Sequence, residues 1–473
     1  MSYSKKAALF GTPVIFIIGA VAAEGNLQIL MLVSTLWMLI WWISAVVPLG
    51  VTALLPLVLF PILGISDFRS TAINYANPVI FLFLGGFILA LALEKWRLHE
   101  RIALNILLKS GNRLGRVIFG SMLATALLSM WISNTATTVM MLPIGMSIIA
   151  FIKGKIKDEN TGRNFGVALL LGIAYAANIG GTATLIGTPP NLVLNSYYEA
   201  ETGTQIGFAN WLFFALPLAS LLFASVWILQ RHVLFPLGVE KIKGISNEIK
   251  TALNKLGKAS SGEKRVLYIF LTTALLWIFR GQLNNIPFLG QLSDPMIAIA
   301  ASICLFAFPS GDKQKSILVW ADTYRLPWDI ILLFGGGIAL ANGLKETEIV
   351  LLVQDFIEQI NPSSLLVVML VVCFFAVFLT EIMSNVALVS VFVPIIFAIA
   401  LGFGNPLLSL AVPLTVGSSC AFMFPIATPP NAIVYSSGQI QMKHMIKAGF
   451  WLNLLCIILI VLYTYLFDGM LIQ

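Results

Sequence analysis

The sequence predicts an all-α polytopic membrane protein of eleven transmembrane helices plus two re-entrant helical hairpins, arranged as an inverted repeat. Three observations predict it: an apolar composition, a one-sided placement of basic residues, and three sequence blocks that occur twice in the same order. Of 473 residues, 59% are hydrophobic and 10% charged, too few charges to wet the surface of a soluble chain of this length. Apolar runs of about 20 residues recur, each long enough to span a bilayer. Met and Phe then read as packing and lipid-facing residues rather than a cofactor box.

The spans are laid at 7–23, 27–47, 50–63, 78–94, 166–196, 207–230, 266–280, 294–309, 327–343, 405–437 and 448–468. With Lys5 and Lys6 in the cytoplasm the loops alternate, and of the 28 Lys and Arg only Arg69, Arg280 and Lys345 fall outside. This is the positive-inside bias. The net charge of +7 therefore reports topology, with some contact to anionic membrane lipids, and not nucleic acid. The bias holds only if two further apolar stretches, about 114–150 and 362–397, enter and leave on one side. Each is expected to be a re-entrant hairpin, the first opening to the cytoplasm and the second to the outside. The N-terminus is then cytoplasmic and the C-terminus external.

"SYSKKAALFGTPVIF" has a basic start and an apolar run but no small-residue cleavage site, so the first span is expected to be retained. Cys304, Cys373, Cys420 and Cys456 show no C-x-x-C spacing and are expected to be buried thiols, neither metal ligands nor disulfides. The segment 231–265 mixes apolar residues at helical spacing with eight basic ones; an amphipathic helix in the cytoplasmic interface fits. It separates a first repeat, 1–230, from a second, 266–473.

The repeats are read from matched blocks. "FLFLGGFILALALEK" from Phe81 parallels "ILLFGGGIALANGLKE" from Ile331. "SMWISNTATTVMMLPI" parallels "TEIMSNVALVSVFVPI". "NIGGTATLIGTPPNLVLNS" from Asn178 parallels "CAFMFPIATPPNAIVYSS" from Cys420. Five crossings lie between the hairpins, and an odd number inverts orientation. Many secondary transporters are built this way, with a site where the repeats meet.

Each repeat holds two interruptions of helical hydrophobicity. One is the hairpin turn, Ser133–Asn134–Thr135 or Ser384–Asn385–Val386. The other is Thr-Pro-Pro-Asn, 188–191 or 428–431. A double proline interrupts a helix, and broken backbone survives at membrane depth only where it lines a cavity or is buried in protein. Helix N-termini suit an anion, while side-chain oxygens and helix C-termini suit an alkali cation. The interruptions hold no Lys, Arg or His, so bound cations could neutralise the anion instead. Ser129 and Thr380 lie one turn before Ser133 and Ser384 and can each add an oxygen. Two symmetry-related cation sites with an anion between them are expected. Gluing of helices by Ser, Asn and Thr could account for one triplet, but poorly for a duplicated set.

"SNTAT", "GTATLIGTPPN", "TEIMSN" and "PIATPPNAIV" resemble the divalent anion/sodium symporter family, which includes dicarboxylate and sulfate carriers. The resemblance covers nearly the whole chain. It implies a homodimer, a scaffold and a mobile transport domain in each protomer, and elevator-type alternating access driven by sodium. It places one sodium ion on Ser129, Ser133, Asn134 and the Gly187 carbonyl. It places a second on Thr380, Asn385 and the carbonyls of Met383 and Ala427. The anion meets Asn134, Thr135, Thr188, Asn385, Thr428 and Pro429, together with Val386, where the family usually has a second Thr.

A C4 dicarboxylate (succinate, malate or fumarate) leads as substrate, with two or more Na+ ions and entry into the cytoplasm, in a bacterial inner membrane. A sulfate symporter or a sodium-independent exchanger of the same fold is the alternative. An enzyme is not expected, since no nucleophile–base pair or metal cluster shares a depth. Glu381 is read as a hydrogen-bonding residue rather than a proton carrier, and His99, His232 and His444 as surface residues. The glycine pairs of the first block are read as close helix packing, since no strand precedes them.

Overall fold

The computed structural model describes residues 3–153, 155, 156, 158–237, 242–311, 316–349, 351, 352, 364–467 and 469. The expected first residues of the second hairpin, 362 and 363, lie outside the described residues, as do linker residues 238–241 and the basic residues Lys157, Lys241, Lys313 and Lys315. The described chain is all helical, apart from one isolated antiparallel bridge between Pro309 and Ser316.

The first half holds α1 (Tyr3–Ala22), α2 (Leu27–Ser44), the short α3 (Leu49–Thr52), α4 (Leu55–Leu63), α5 (Phe68–Ile73) and α6 (Pro78–Lys95). It continues with α7 (Leu98–Ser110), α8 (Leu114–Ser129), α9 (Asn134–Lys153), α10 (Glu159–Thr182), α11 (Pro189–Thr202) and α12 (Phe208–Leu229). The linker carries α13 (Ile245–Lys255). The second half holds α14 (Ser261–Ile278), α15 (Arg280–Leu283), α16 (Asp294–Ala307) and α17 (Trp328–Glu346). After these come α18 (Leu365–Leu379), α19 (Asn385–Gly402), α20 (Leu407–Ser418), α21 (Pro429–Ser436) and α22 (Met442–Phe467).

Local chemistry sets these boundaries. Asn26 starts α2 by accepting the amides of Gln28 and Ile29, satisfying donors that a helix start leaves free. Ser260 and Glu263 form a capping box that opens α14, five residues before the apolar run expected at 266. The span expected at 50–63 is divided: α3 ends at Thr52, and α4, with Pro56 in its first turn, stops at Gly64 with φ 71°.

By length and composition, eight described helices can cross a membrane. They include α9 and α19, the second arms of the expected hairpins. The first arms, α8 and α18, are shorter, as are α16 and α20.

Helix α10 is the hub of the first half. Its apolar window is wholly buried, and α8, α9 and α12 all pack on it. In the second half α18, α19 and α22 pack on α20 in the same way. The halves then cross over: α21 packs on α9 and α10, while α11 packs on α19 and α20. Farther out, α6 packs on α16 and α17 on α3. Both hubs feed directly into the Thr-Pro-Pro-Asn interruptions.

Candidate functional site

Four helices begin at the expected interruptions: α9 at Asn134, α19 at Asn385, α11 at Pro189 and α21 at Pro429. The double prolines fill the first turns of α11 and α21. There their missing N–H groups cost nothing and their fixed φ suits a helix start. Thr188 and Thr428 precede them in extended conformation, with φ −142° and −140°. Between hub and restart the backbone leaves the helix, over 183–188 in the first half and 419–428 in the second.

A matched pair of asparagines holds these segments. Asn191 Nδ2 lies within hydrogen-bond distance of the carbonyls of Gly181, Thr182 and Thr184, at 3.3, 3.3 and 2.8 Å. Asn431 Nδ2 donates to Ala421 and Phe424 at 2.9 and 3.0 Å. Gly181 and Thr184 stand before Asn191 as Ala421 and Phe424 stand before Asn431. Both asparagines are fully buried. Sequence reasoning quoted them twice and gave them no role, although their duplication was the available signal.

The first expected cation cluster is assembled in part. Ser129 Oγ donates to Asn134 Oδ1 at 2.5 Å. A Cβ on Gly181 would lie 2.6 Å from Asn134 Oδ1 and 3.2 Å from the Gly187 carbonyl, so these oxygens approach the bare glycine together. Thr184 Oγ1 bonds the Met130 carbonyl and ties the hairpin turn to the unwound segment. Ser133 is exposed and caps α9 through Ala136 N at 3.2 Å; no contact brings it to the other three.

The second cluster repeats the hydroxyl–asparagine pair of the first but draws its third oxygen from a different place. Thr380 Oγ1 lies 2.6 Å from Asn385 Oδ1 and 2.7 Å from the Ser418 carbonyl. One hydroxyl proton cannot serve both acceptors at once, so three oxygens converge with a single proton among them. Such an oxygen-only group suits a hard cation. The Ser418 carbonyl was not anticipated from sequence. Met383 and Ala427 are buried, but no hydrogen bond joins either to Thr380 or Asn385.

The residues expected to meet the anion differ in exposure. Thr135 and Pro429 are exposed, Asn134, Asn385 and Val386 half-buried, and Thr188 and Thr428 buried. Asn178 of α10 bridges the halves by donating from Nδ2 to Thr428 Oγ1 at 3.2 Å. Tyr175, one turn earlier, donates to the Phe422 carbonyl at 2.8 Å. A cavity of about 660 Å³ is lined by Ala136, Val139, Met140 and Pro143 of α9, beside Thr135, and by Arg97 and Lys255 at α7 and α13.

Glu381 is buried and accepts four hydrogen bonds: from the amides of Phe422, Met423 and Phe424 at 2.7, 2.8 and 3.1 Å, and from Asn453 Nδ2 at 2.8 Å. It fastens the second unwound segment. His99 departs from the surface role expected of it: it is 7% exposed, with Nδ1 3.0 Å from the Leu93 carbonyl, because α7 folds back onto α8. Among the described residues no cluster of His, Cys, Asp and Glu could hold a metal ion, and all four cysteines are free thiols.

A family described as the sodium:sulfate symporter transmembrane region matches residues 5–473. The sodium-dependent dicarboxylate transporter SdcS of Staphylococcus saprophyticus is 40% identical over 444 residues, covering 92% of this chain and 85% of that protein. Its namesake from Staphylococcus aureus is 38% identical over 441 residues, with the same coverage. The crystal structure of the Alcanivorax borkumensis YdaH transporter superposes with a TM-score of 0.55 at 12% identity, over 85% of this chain and 88% of that one; it shares the fold.

Proposed function

The chain belongs to the sodium:sulfate symporter family, and from that premise we propose that it carries a C4 dicarboxylate into the cytoplasm together with two or more sodium ions. One observation carries the reading: two groups of converging oxygens, built on the matching pairs Ser129–Asn134 and Thr380–Asn385 and completed by different carbonyls, Gly187 and Ser418, flank helix starts that bear no basic side chain. A dicarboxylate held there needs its charge balanced, and free helix amides supply only part of that. Sodium ions in the oxygen groups supply the rest, so neither charge crosses alone. The names of the two SdcS relatives support sodium and dicarboxylate as the coupled pair.

Alternating access is assigned to two bodies. The mobile one comprises α8–α12 and α18–α22, which pack around the two hubs. The scaffold comprises α1–α6 and α14–α17, and a second protomer joins there to form a homodimer. The duplicated packing supports an inverted repeat, because the contacts around the two hubs correspond: α8, α9 and α12 on α10 match α18, α19 and α22 on α20. The ion pairs support the charge-derived topology. Lys95–Asp322 and Arg101–Glu263 join residues placed on the cytoplasmic side, and Arg280–Asp294 and Lys345–Glu201 join residues placed outside. Two of the three basic residues that break the positive-inside bias are thus paired with carboxylates.

The test is uptake of labelled succinate into proteoliposomes with and without an inward sodium gradient. Uptake is expected with the gradient and near background without it. Equal uptake under both conditions favours an exchanger, and sulfate uptake in place of succinate overturns the substrate.

A further inference from the structure

We propose that Asn178 is a positioning residue that presets the Thr428 hydroxyl as a hydrogen-bond donor toward the anion; the inference rests on the symport reading above. Asn178 is 1% exposed near the end of α10. Its Nδ2 reaches Thr428 Oγ1 at 3.2 Å, across 250 residues of chain. The same oxygen accepts the Asn431 amide at 3.4 Å, as the cap of α21. A hydroxyl has one proton and two acceptor sites. With both acceptor sites taken, the proton is what Thr428 has left to offer, and no group among the described residues receives it. A carboxylate presents acceptors alone, so that proton is the one it can use. Pro429, the next residue, is exposed, so the chain reaches the surface at this point.

The first half has no such device. Thr188 makes no side-chain capping bond. By the spacing that separates Thr188 from Thr428, the counterpart of Asn178 is Ser418. Its hydroxyl donates to the Thr415 carbonyl at 2.7 Å, and its own carbonyl faces Thr380. The site is therefore polarised: one threonine is fixed as a donor while the other makes no capping bond. The fixed one belongs to the half whose hairpin carries Val386 and so lacks a hydroxyl there.

The experiment measures sodium-driven succinate uptake in proteoliposomes for Asn178→Asp, Thr428→Val and the double variant. Aspartate keeps the size of asparagine but accepts the Thr428 proton and turns it away from the substrate. Asn178→Asp is expected to raise KM for succinate about tenfold, the scale of one hydrogen bond to a charged partner, with half-saturating sodium changed less than about twofold. In the Thr428→Val background the same change is expected to have no further effect on KM, since coupled residues are not additive. If Asn178→Asp does not yield folded protein, Asn178→Ser replaces it in the same cycle. An unchanged KM in Asn178→Asp, or effects that multiply in the double variant, overturns the proposal. A role limited to packing would move thermal stability and sodium dependence together. Wild-type protein that moves no succinate rejects the symport reading itself, a separate result.

Discussion

Single side chains in this protein act by deciding where unpaired backbone can exist. Glu381 is an example: a carboxylate inside the bilayer reads as a proton carrier until its four donors are counted. Hydrogen bonds to a charged acceptor contribute roughly 1.5–3 kcal/mol each, so Glu381→Gln, with one acceptor oxygen fewer and no charge, is expected to lower the melting temperature in detergent by several degrees. An unchanged melting temperature would remove the fastening role. Val386 acts differently, by omission. Val386→Thr is expected to restore a hydroxyl worth roughly 0.5–1.5 kcal/mol and to alter substrate preference more than sodium dependence, read from competition by dicarboxylates and sulfate. His99 gives a pH dependence. Burial pushes its imidazole below the ordinary 6.5, outweighing the Leu93 carbonyl and Glu100, which pull it up. The folded state therefore resists protonation, and this contribution is intact above the unfolded pKa and lost as pH falls through the lowered folded one. His99→Gln is expected to flatten the acid limb of a melting-temperature profile as pH falls below 6.5.

Helices meet across the two bodies where glycine removes a side chain. Gly86 of α6 and Gly337 of α17 share the spacing that separates Asn134 from Asn385. A Cβ on Gly86 would lie 3.1 Å from Ile186 in the first unwound segment, and one on Gly337 would lie 3.0 Å from the Tyr197 hydroxyl of α11. The glycine before each faces inward instead: Gly85 meets the Ala298 main chain and Gly336 that of Ala53. One glycine of each pair packs within the proposed scaffold, and the other borders the proposed mobile body. Gly86→Ala and Gly337→Ala are expected to slow maximal uptake several-fold with KM little changed. Gly85→Ala and Gly336→Ala are expected to destabilise by about 1–3 kcal/mol through overpacking, read as lost melting temperature or yield. The opposite pattern would reverse the assignment of the two faces. Sequence blocks make these elements legible: duplication marks both hairpin turns and both Thr-Pro-Pro-Asn restarts and singles out Ser129 and Thr380, while their grouping with Asn134 and Asn385 is what the family resemblance implies. The asparagine clamps, the Ser418 carbonyl and the Asn178 bridge are not anticipated from sequence. Their partners are main-chain oxygens or lie in the other repeat, and neither leaves a pattern in one-dimensional spacing. Helix lengths were legible only in part, because caps such as Ser260 and breaks such as Ala53–Leu54 sit inside apolar or mixed stretches.

On the proposed reading the whole molecule is organised so that oxygen atoms, not basic side chains, make a place for an anion. Four ion pairs each join groups that the charge-derived topology places on one side, and apart from Glu381 the surroundings of the interruptions hold hydroxyls, amides and main-chain dipoles. Cysteine-accessibility labelling reads this layout: a cysteine placed at Lys345 is expected to react with an impermeant reagent from outside, and one at Lys255 from inside. Labelling of both from the same face would overturn the topology. The central claim is that the anion is held through bound cations, so the two must bind as a unit. Calorimetric titration of purified protein with succinate, in sodium chloride and in choline chloride at equal ionic strength, measures this directly. The account predicts binding that tightens with sodium concentration and vanishes in choline; succinate binding of equal strength in both salts would contradict it.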